Sequence, residues 1–253
     1  MAHDESWRKI FRDCGIDQYD FDEAPFRISA SNIKACCQDF RNVGEKEVRI
    51  LCKQDTRESR PSVFVERGLF LLPVKNGEYV IVRGEGYVNI PLIDAETTDY
   101  SSKLGFTLDT SLVGNSEMQH LDFAYATSVI RTFMKDETLV LTIRGRKYSP
   151  EFSFRVGRHT IDVCGVQTEV DAGYEGKKQV VLVEAKGAGA RNTIIRQLYY
   201  PFRQWSSHTQ KRVVTLFFEK SGKVYSIWEF QFTDVMDYNS IRYVRGARFR
   251  IGN

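Results

Sequence analysis

From Gln179 to Lys186 the chain reads QVVLVEAK, an unbroken apolar run of Val180, Val181, Leu182 and Val183 followed at once by Glu184, Ala185 and Lys186. A β-branched run of this kind marks a central strand covered on both faces. Charges set directly behind it stand at the rim of a core, where desolvation is costly unless a metal or an ion pair compensates. A buried sheet must therefore form around this strand, and its polar end needs partners. Just upstream, Gln167 to Ala172 (QTEVDA) reads as a second strand, and Gly173 to Lys178 (GYEGKK) carries glycine turn chemistry, so the two runs form a hairpin. Strand alternation sends Glu169 and Asp171 one way and puts Glu184 and Lys186 on a shared face. Three carboxylates and an ammonium then converge on one sheet edge.

Carboxylate oxygens suit a hard cation such as Mg²⁺, which keeps several waters and completes its shell with substrate phosphate. A neighbouring lysine can orient or deprotonate a water on that cation and offset charge developing on phosphorus. In outline this is a site for hydrolysing phosphodiesters. Two other readings compete with it. One is a solvated strand end whose Glu and Lys merely face water. The other is a dinucleotide-binding turn at Gly187-Ala188-Gly189, which lacks the third glycine and carries Glu184 and Lys186 where a pyrophosphate turn takes small residues.

At these residues the chain resembles the PD-(D/E)xK nuclease superfamily, whose motif is an Asp, a variable gap, then Glu or Asp, any residue, and Lys. Asp171, Glu184, Ala185 and Lys186 fill those positions, with Val170 where the family usually has Pro, and the likeness spans roughly residues 115 to 235. The resemblance implies a restriction-endonuclease-like α/β core (α+β overall), a central mixed β-sheet flanked by helices. It implies that Asp171 and Glu184 hold Mg²⁺ and that Lys186 acts on the attacking water. Glu169 would support the site, as would Gln197 on the following helix, thirteen residues beyond Glu184, with Arg196 the less secure alternative. Relatives also commonly draw a carboxylate from a helix before the first core strand. Glu117 is the first choice here and Asp122 the second, each with an ordinary structural role as the other reading.

With 253 residues and 42% hydrophobic content the chain can bury one large core or two modest ones. We divide it into an N-terminal α+β recognition region, residues 1–110, and a nuclease core, residues 111–253. A net charge of +3 and a pI near 8.5 permit a nucleic-acid partner without demanding one. Five cysteines without paired CxxC spacing indicate neither a disulfide framework nor a zinc finger. No signal-peptide core or membrane-spanning apolar run appears, so a cytoplasmic protein without membrane contact is expected.

In chain order, residues 1 to 25 are expected to wrap on other parts. Helices are expected over Ser29 to Phe40 and Glu45 to Cys52, and strands over Ser62 to Val65, Leu69 to Val74 and Tyr79 to Arg83, with a turn at Lys75-Asn76-Gly77. This inventory is compatible with a winged-helix module or with any small α+β domain. Lys53, Arg57, Arg60, Lys75 and Arg83 are the candidate DNA contacts there. Residues 94 to 114 read as a linker. One helix is expected from Ser116 to Lys135, with Met118, Leu121, Ala124, Tyr125, Val129 and Phe133 facing the core.

Strands then cover Thr138 to Arg144, Phe152 to Val156 and His159 to Val163. After the motif comes a helix over Arg191 to Trp205, bent or ended at Pro201. Strands Val213 to Phe218 and Val224 to Phe232 follow, joined by the turn sequence Glu219-Lys220-Ser221-Gly222. Arg144 and Arg146, with Lys147, Arg155 and Arg158, either line the approach to the site or point outward from ordinary edge strands; Arg191 and Arg203 are further candidate phosphate contacts. The tail arginines, Arg242, Arg245, Arg248 and Arg250, clamp nucleic acid or cap the sheet edge.

Together these features read as a type II restriction endonuclease of a restriction-modification pair: Mg²⁺-dependent hydrolysis of double-stranded DNA at a short sequence by a homodimer. A repair or structure-specific nuclease with the same motif is one alternative, and a non-catalytic DNA-binding protein retaining the fold is another.

Overall fold

The computed structural model describes residues 3–252. The chain opens on α1 (Asp4–Asp13), whose acidic first turn complements the helix dipole and whose Trp7, Ile10 and Phe11 form one buried face. Residues 1 to 25 therefore do more than wrap, because that apolar stripe seats a helix. Next come β1 (Phe26–Ser29) and α2 (Ala30–Cys37), capped where the Asn32 N–H donates to Ser29 Oγ at 3.1 Å. The helix expected over Glu45 to Cys52 is two single turns, α3 (Val43–Lys46) and α4 (Val48–Leu51), parted by extended Glu47. Ser62 to Val65, expected as a strand, is the start of helix α5 (Ser62–Glu66), with Phe64 packed edge-on against Trp7 at 4.8 Å. Four residues, three of them apolar, are too short a window to separate helix from strand.

Strands β2 (Leu69–Lys75) and β3 (Glu78–Arg83) then form the expected hairpin, giving an antiparallel sheet in the order β1-β3-β2. Leu69 and Leu71 pack with Trp7, Ile10 and Phe11 on one face. Phe70, Leu72 and Val74 pack on the other with Phe152, Phe154, Tyr199, Tyr200 and Tyr238. This two-sided burial is why the strand is apolar throughout.

The remaining elements are β4 (Tyr87–Asn89), β5 (Thr97–Ser101), α6 (Glu117–Ala126), α7 (Val129–Met134), β6 (Val140–Tyr148), β7 (Phe152–Val156), β8 (His159–Val163), β9 (Gln167–Glu175), β10 (Gln179–Lys186), β11 (Asn192–Ile194), α8 (Arg196–Ser206), β12 (Arg212–Ser221), β13 (Val224–Phe232) and β14 (Ile241–Gly252). The central sheet has seven strands in the order β5-β14-β13-β12-β10-β9-β6. It is mixed, since β10 with β12 and β14 with β5 are parallel pairs and the others antiparallel. Helices α6 and α7 cover one face, over Val181, Val183, Val214, Leu216 and Ile227. Helix α8 covers the other, between the cluster of Ile143, Val170, Val180 and Leu182 and that of Phe217, Trp228 and Phe230. The expected α+β class with a central mixed sheet flanked by helices is thus present.

Several boundaries differ from the sequence reading. Residues 94 to 114 are more than a linker, because they contribute β5, which pairs in parallel with β14. The helix expected from Ser116 to Lys135 breaks in two at Ser128, which adopts φ +70°, while Thr127 Oγ1 bonds back to the Phe123 carbonyl at 2.8 Å. Met118 is consequently exposed, and Leu121, Ala124, Val129 and Phe133 hold the core. Pro201 lies inside α8 without ending it, and Ile194, expected in that helix, belongs to β11. β12 runs through Glu219, Lys220 and Ser221, leaving Gly222-Lys223 as the turn into β13. Among the described residues no helix is long and apolar enough to cross a membrane.

Candidate active site

The hairpin read from the sequence forms, with β9 and β10 in register from Val180 opposite Glu175 to Val183 opposite Ala172. The ladder stops there. The next inward N–H, that of Ala185, donates instead to Asp171 Oδ2 at 2.7 Å. A carboxylate has replaced a backbone rung, so the strands part just where the polar residues begin. β10 stays paired with β12 as far as Lys186 opposite Glu219, which holds the motif strand rigid while its other edge opens.

Glu184 lies in this opening at 8% exposure, and Lys186 Nζ donates to its Oε1 at 2.5 Å. Burial pushes the Glu184 carboxyl up to about 7; the Lys186 charge opposes this and the Asp171 charge adds to it. Asp171 is also raised, first by burial, against the Ala185 N–H and Lys186, with Glu117 and Glu169 adding like charge. Burial pulls Lys186 down, but the Glu184 charge and hydrogen bond, then Asp171, outweigh it and leave the ammonium above its ordinary value. Asp171, Glu184 and Lys186 are therefore one electrostatic unit, desolvated and mutually coupled.

Of the supporting residues, Glu117 at the start of α6 reaches the same opening: a Cβ added to Gly187 would stand 3.7 Å from its Oε1. Asp122, one turn further on, is held away in a two-pronged pair with Arg144. Glu169 is more exposed and faces Arg146 across β6 and β9, at 3.3 Å. Gln197 on α8 accepts from Thr193 Oγ1 at 2.7 Å and lines a small cleft with Glu169 and Glu184.

The expected cationic contacts divide. Arg57 donates to Asn89 and the Tyr87 carbonyl, Arg60 to the Leu69 carbonyl at 3.1 Å, and Arg203 to the carbonyls of Ser153 at 2.7 Å and Val235 at 3.0 Å. Arg144 is committed to Asp122. These four guanidinium groups hold the protein together. Lys53, Lys75 and Arg191 are exposed, as is Arg146 beside its partner Glu169. In the tail, Arg245 pairs with Glu229, Arg250 with Asp99, and Arg248 donates to the Ala95 carbonyl, so these three cap the sheet edge.

Two residues near the site, Asp55 and Glu219, were missed. Asp55, in the loop before α5, pairs with Arg196 at 3.6 Å and adds its charge to the environment of Lys186. Arg196 in turn faces Glu184 and favours its ionised form. Glu219 accepts from the N–H groups of Gly189 and Ala190 at 3.0 and 3.1 Å, fixing the loop that leaves the motif strand. Extending the expected strand one residue past Phe218 would have placed Glu219 there, and nothing local marks Asp55.

Among the described residues no group of three or more His, Cys, Asp or Glu stands ready to hold a metal ion. The donor chemistry nonetheless fits Mg²⁺, which takes one or two carboxylates and keeps its remaining waters. Asp171 and Glu184 supply them, and a buried carboxyl poised near neutrality is what an added cation would stabilise in its ionised form. The chain belongs to the family described as a domain of unknown function (DUF6997), which matches residues 82–250, and a second domain of unknown function (DUF6996) matches residues 4–81. No curated protein and no solved structure matches the chain.

Proposed function

We propose that this family member is a Mg²⁺-dependent endonuclease of the type II restriction kind, cleaving double-stranded DNA at a short sequence. The observation that carries the reading is the splayed end of the β9–β10 hairpin, where Asp171, Glu184 and Lys186 meet as a desolvated, coupled set. Asp171 and Glu184 would hold the cation. When bound, it supplies Lewis acidity toward the phosphoryl oxygen and lowers the pKa of a coordinated water. Lys186 is the proton-bearing member of the set, suited to orient the attacking water and to meet negative charge that builds on the phosphate. The water oxygen bonds to phosphorus as the P–O3′ bond breaks, leaving 5′-phosphate and 3′-hydroxyl ends. Glu169 and Gln197 line one cleft with Glu184 and would support that carboxylate and the waters of a bound cation.

Sequence reading would fall to the N-terminal α+β region, whose sheet order β1-β3-β2 is compatible with a winged-helix module. None of α3, α4 and α5 exceeds five residues, so an exposed loop bearing Lys53, with Lys75 beside the β2–β3 turn, would contribute as much as a helix. A palindromic site would be read by a homodimer in the cytoplasm.

The test is digestion of unmethylated and methylated plasmid DNA with Mg²⁺ or EDTA, beside Asp171→Ala. Discrete fragments that need Mg²⁺ and vanish in the variant are expected. A smear would overturn sequence specificity, and intact DNA under every condition would overturn the nuclease reading itself.

A further inference from the structure

Beyond the catalytic opening, α6, the β12–β13 hairpin and the β14–β5 edge enclose a cavity of roughly 680 Å³. Its walls carry His120 and Phe123 from α6, Lys220, Lys223 and Tyr225 from the hairpin, and Arg250 with Asp99 from the edge. The charges are unequally matched. Arg250 pairs with Asp99 at 2.6 Å, whereas among the described residues Lys220 and Lys223 have no ion-pair partner. The Lys220 ammonium lies 5.9 Å from the centre of the Tyr225 ring, and Phe123 stands 6.0 Å from that ring at 37°. One wall is thus aromatic, and its rim bears two uncompensated ammonium groups.

Two uncompensated lysines ask for an anion. A cavity of this size with an aromatic wall also asks for a planar body larger than a bare phosphate. The turn helps, because Gly222 at φ +58° leaves the mouth clear of a side chain between the lysines. Position adds to the chemistry. Lys220 directly follows Glu219, the register partner of Lys186, and His120 stands one helical turn, about 5 Å, beyond Glu117. We propose that this cavity binds a nucleoside phosphate, with Lys220 and Lys223 on the phosphate and Tyr225 and Phe123 against the base. Its source is either a nucleotide of a strand lying beside the catalytic opening or a free nucleotide.

Binding is measured in EDTA, so the result does not depend on hydrolysis and can fail while the nuclease reading stands. A labelled single-stranded deoxyoligonucleotide and ATP are titrated into the wild type, into Lys220→Gln with Lys223→Gln, and into a charge-matched control, Lys177→Gln with Lys178→Gln, at the exposed β9–β10 turn. The first variant is expected to weaken binding at least about tenfold and the control to leave it unchanged. Its salt slope for the oligonucleotide should fall by about 1.4, the share of two phosphate contacts to a single strand. ATP binding to the same lysines identifies a free nucleotide as the source, and oligonucleotide binding without ATP identifies a strand. Wild-type affinity in the Lys220 and Lys223 variant, or no binding of either probe to the wild type, overturns the site. Tripolyphosphate binding as tightly as ATP overturns its nucleoside half.

Discussion

Glu229 is 3% exposed on β13 and takes two guanidinium groups at once, Arg212 on β12 at 2.8 Å and Arg245 on β14 at 2.7 Å. The arginines keep contact with water while the carboxylate is almost fully buried, so the pair energy is moderated mainly at one end. Glu229→Ala should cost about 1–3 kcal/mol, read from urea unfolding; a change within error would mean that water can reach the carboxylate. Lys186 makes the opposite case. Its partner Glu184 is already held near neutrality by burial, at about 7, so losing the ammonium shifts a proton more readily than it strands a charge. Lys186→Met is therefore expected to lower Mg²⁺-dependent cleavage by at least about 100-fold with little change in melting temperature. A collapse of the melting temperature would recast Lys186 as a structural ion-pair partner.

At the scale of elements, the opening at the site is a property of strand geometry. Ile143 on β6 sits opposite Gly173 on β9, with a register shift on each side of it, and a Cβ on Gly173 would stand 2.6 Å from Ile143 Cβ. The close approach lets β6 and β9 stay paired while β9 turns Asp171 toward Ala185. Gly173→Ala is expected to destabilise by about 1–3 kcal/mol and to reduce cleavage, since Asp171 lies two residues away. Full activity with unchanged stability would show that the splay has another origin. The break at Ser128 works similarly on the other face, ending α6 so that α7 can repack Val129, Ile130 and Phe133 beneath β13 and β14.

For the whole molecule, the two matched segments share a core. Phe70, Leu72, Val74 and Val80 from the first segment join Phe152, Phe154, Ile161 and Tyr238 in one cluster. Residues 82–253 made alone should expose that apolar face and aggregate or bind a hydrophobic dye; a monomer with native-like melting would show that the cluster is dispensable. Polar contacts brace the same seam, where Asn192 Nδ2 donates to both oxygens of Glu58 at 3.0 Å and Arg57 N donates to Asn192 Oδ1 at 2.7 Å. The Asn192 hydrogen bond holds the Glu58 carboxyl below its ordinary 4.5. Its contribution is therefore complete above that value and is lost as pH falls through the lower folded value. Glu58→Gln should flatten the acid side of the stability profile below about pH 4.5, lowering stability at neutral pH and leaving the acid value nearly unchanged. An unaltered acid limb would show that the seam does not depend on this carboxylate.

Legible in the chain alone were the buried strand Val180–Val183, its hairpin with β9, the arrival of Asp171, Glu184 and Lys186 at one end, and most later strands. In each of these, periodicity and turn chemistry act over a few residues. The chain alone left open what depends on distant partners. Thr97–Ser101 is too polar to read as a strand until β14 offers it an edge. Ser62–Glu66 coils because Phe64 meets Trp7, and Asp55 and Glu219 approach the motif only after the sheet is assembled. Arg57, Arg60 and Arg203 looked like free cations because a sequence shows charge but not the carbonyls that absorb it. Tertiary structure decided those assignments, since burial and hydrogen-bond satisfaction are settled between segments far apart in the chain.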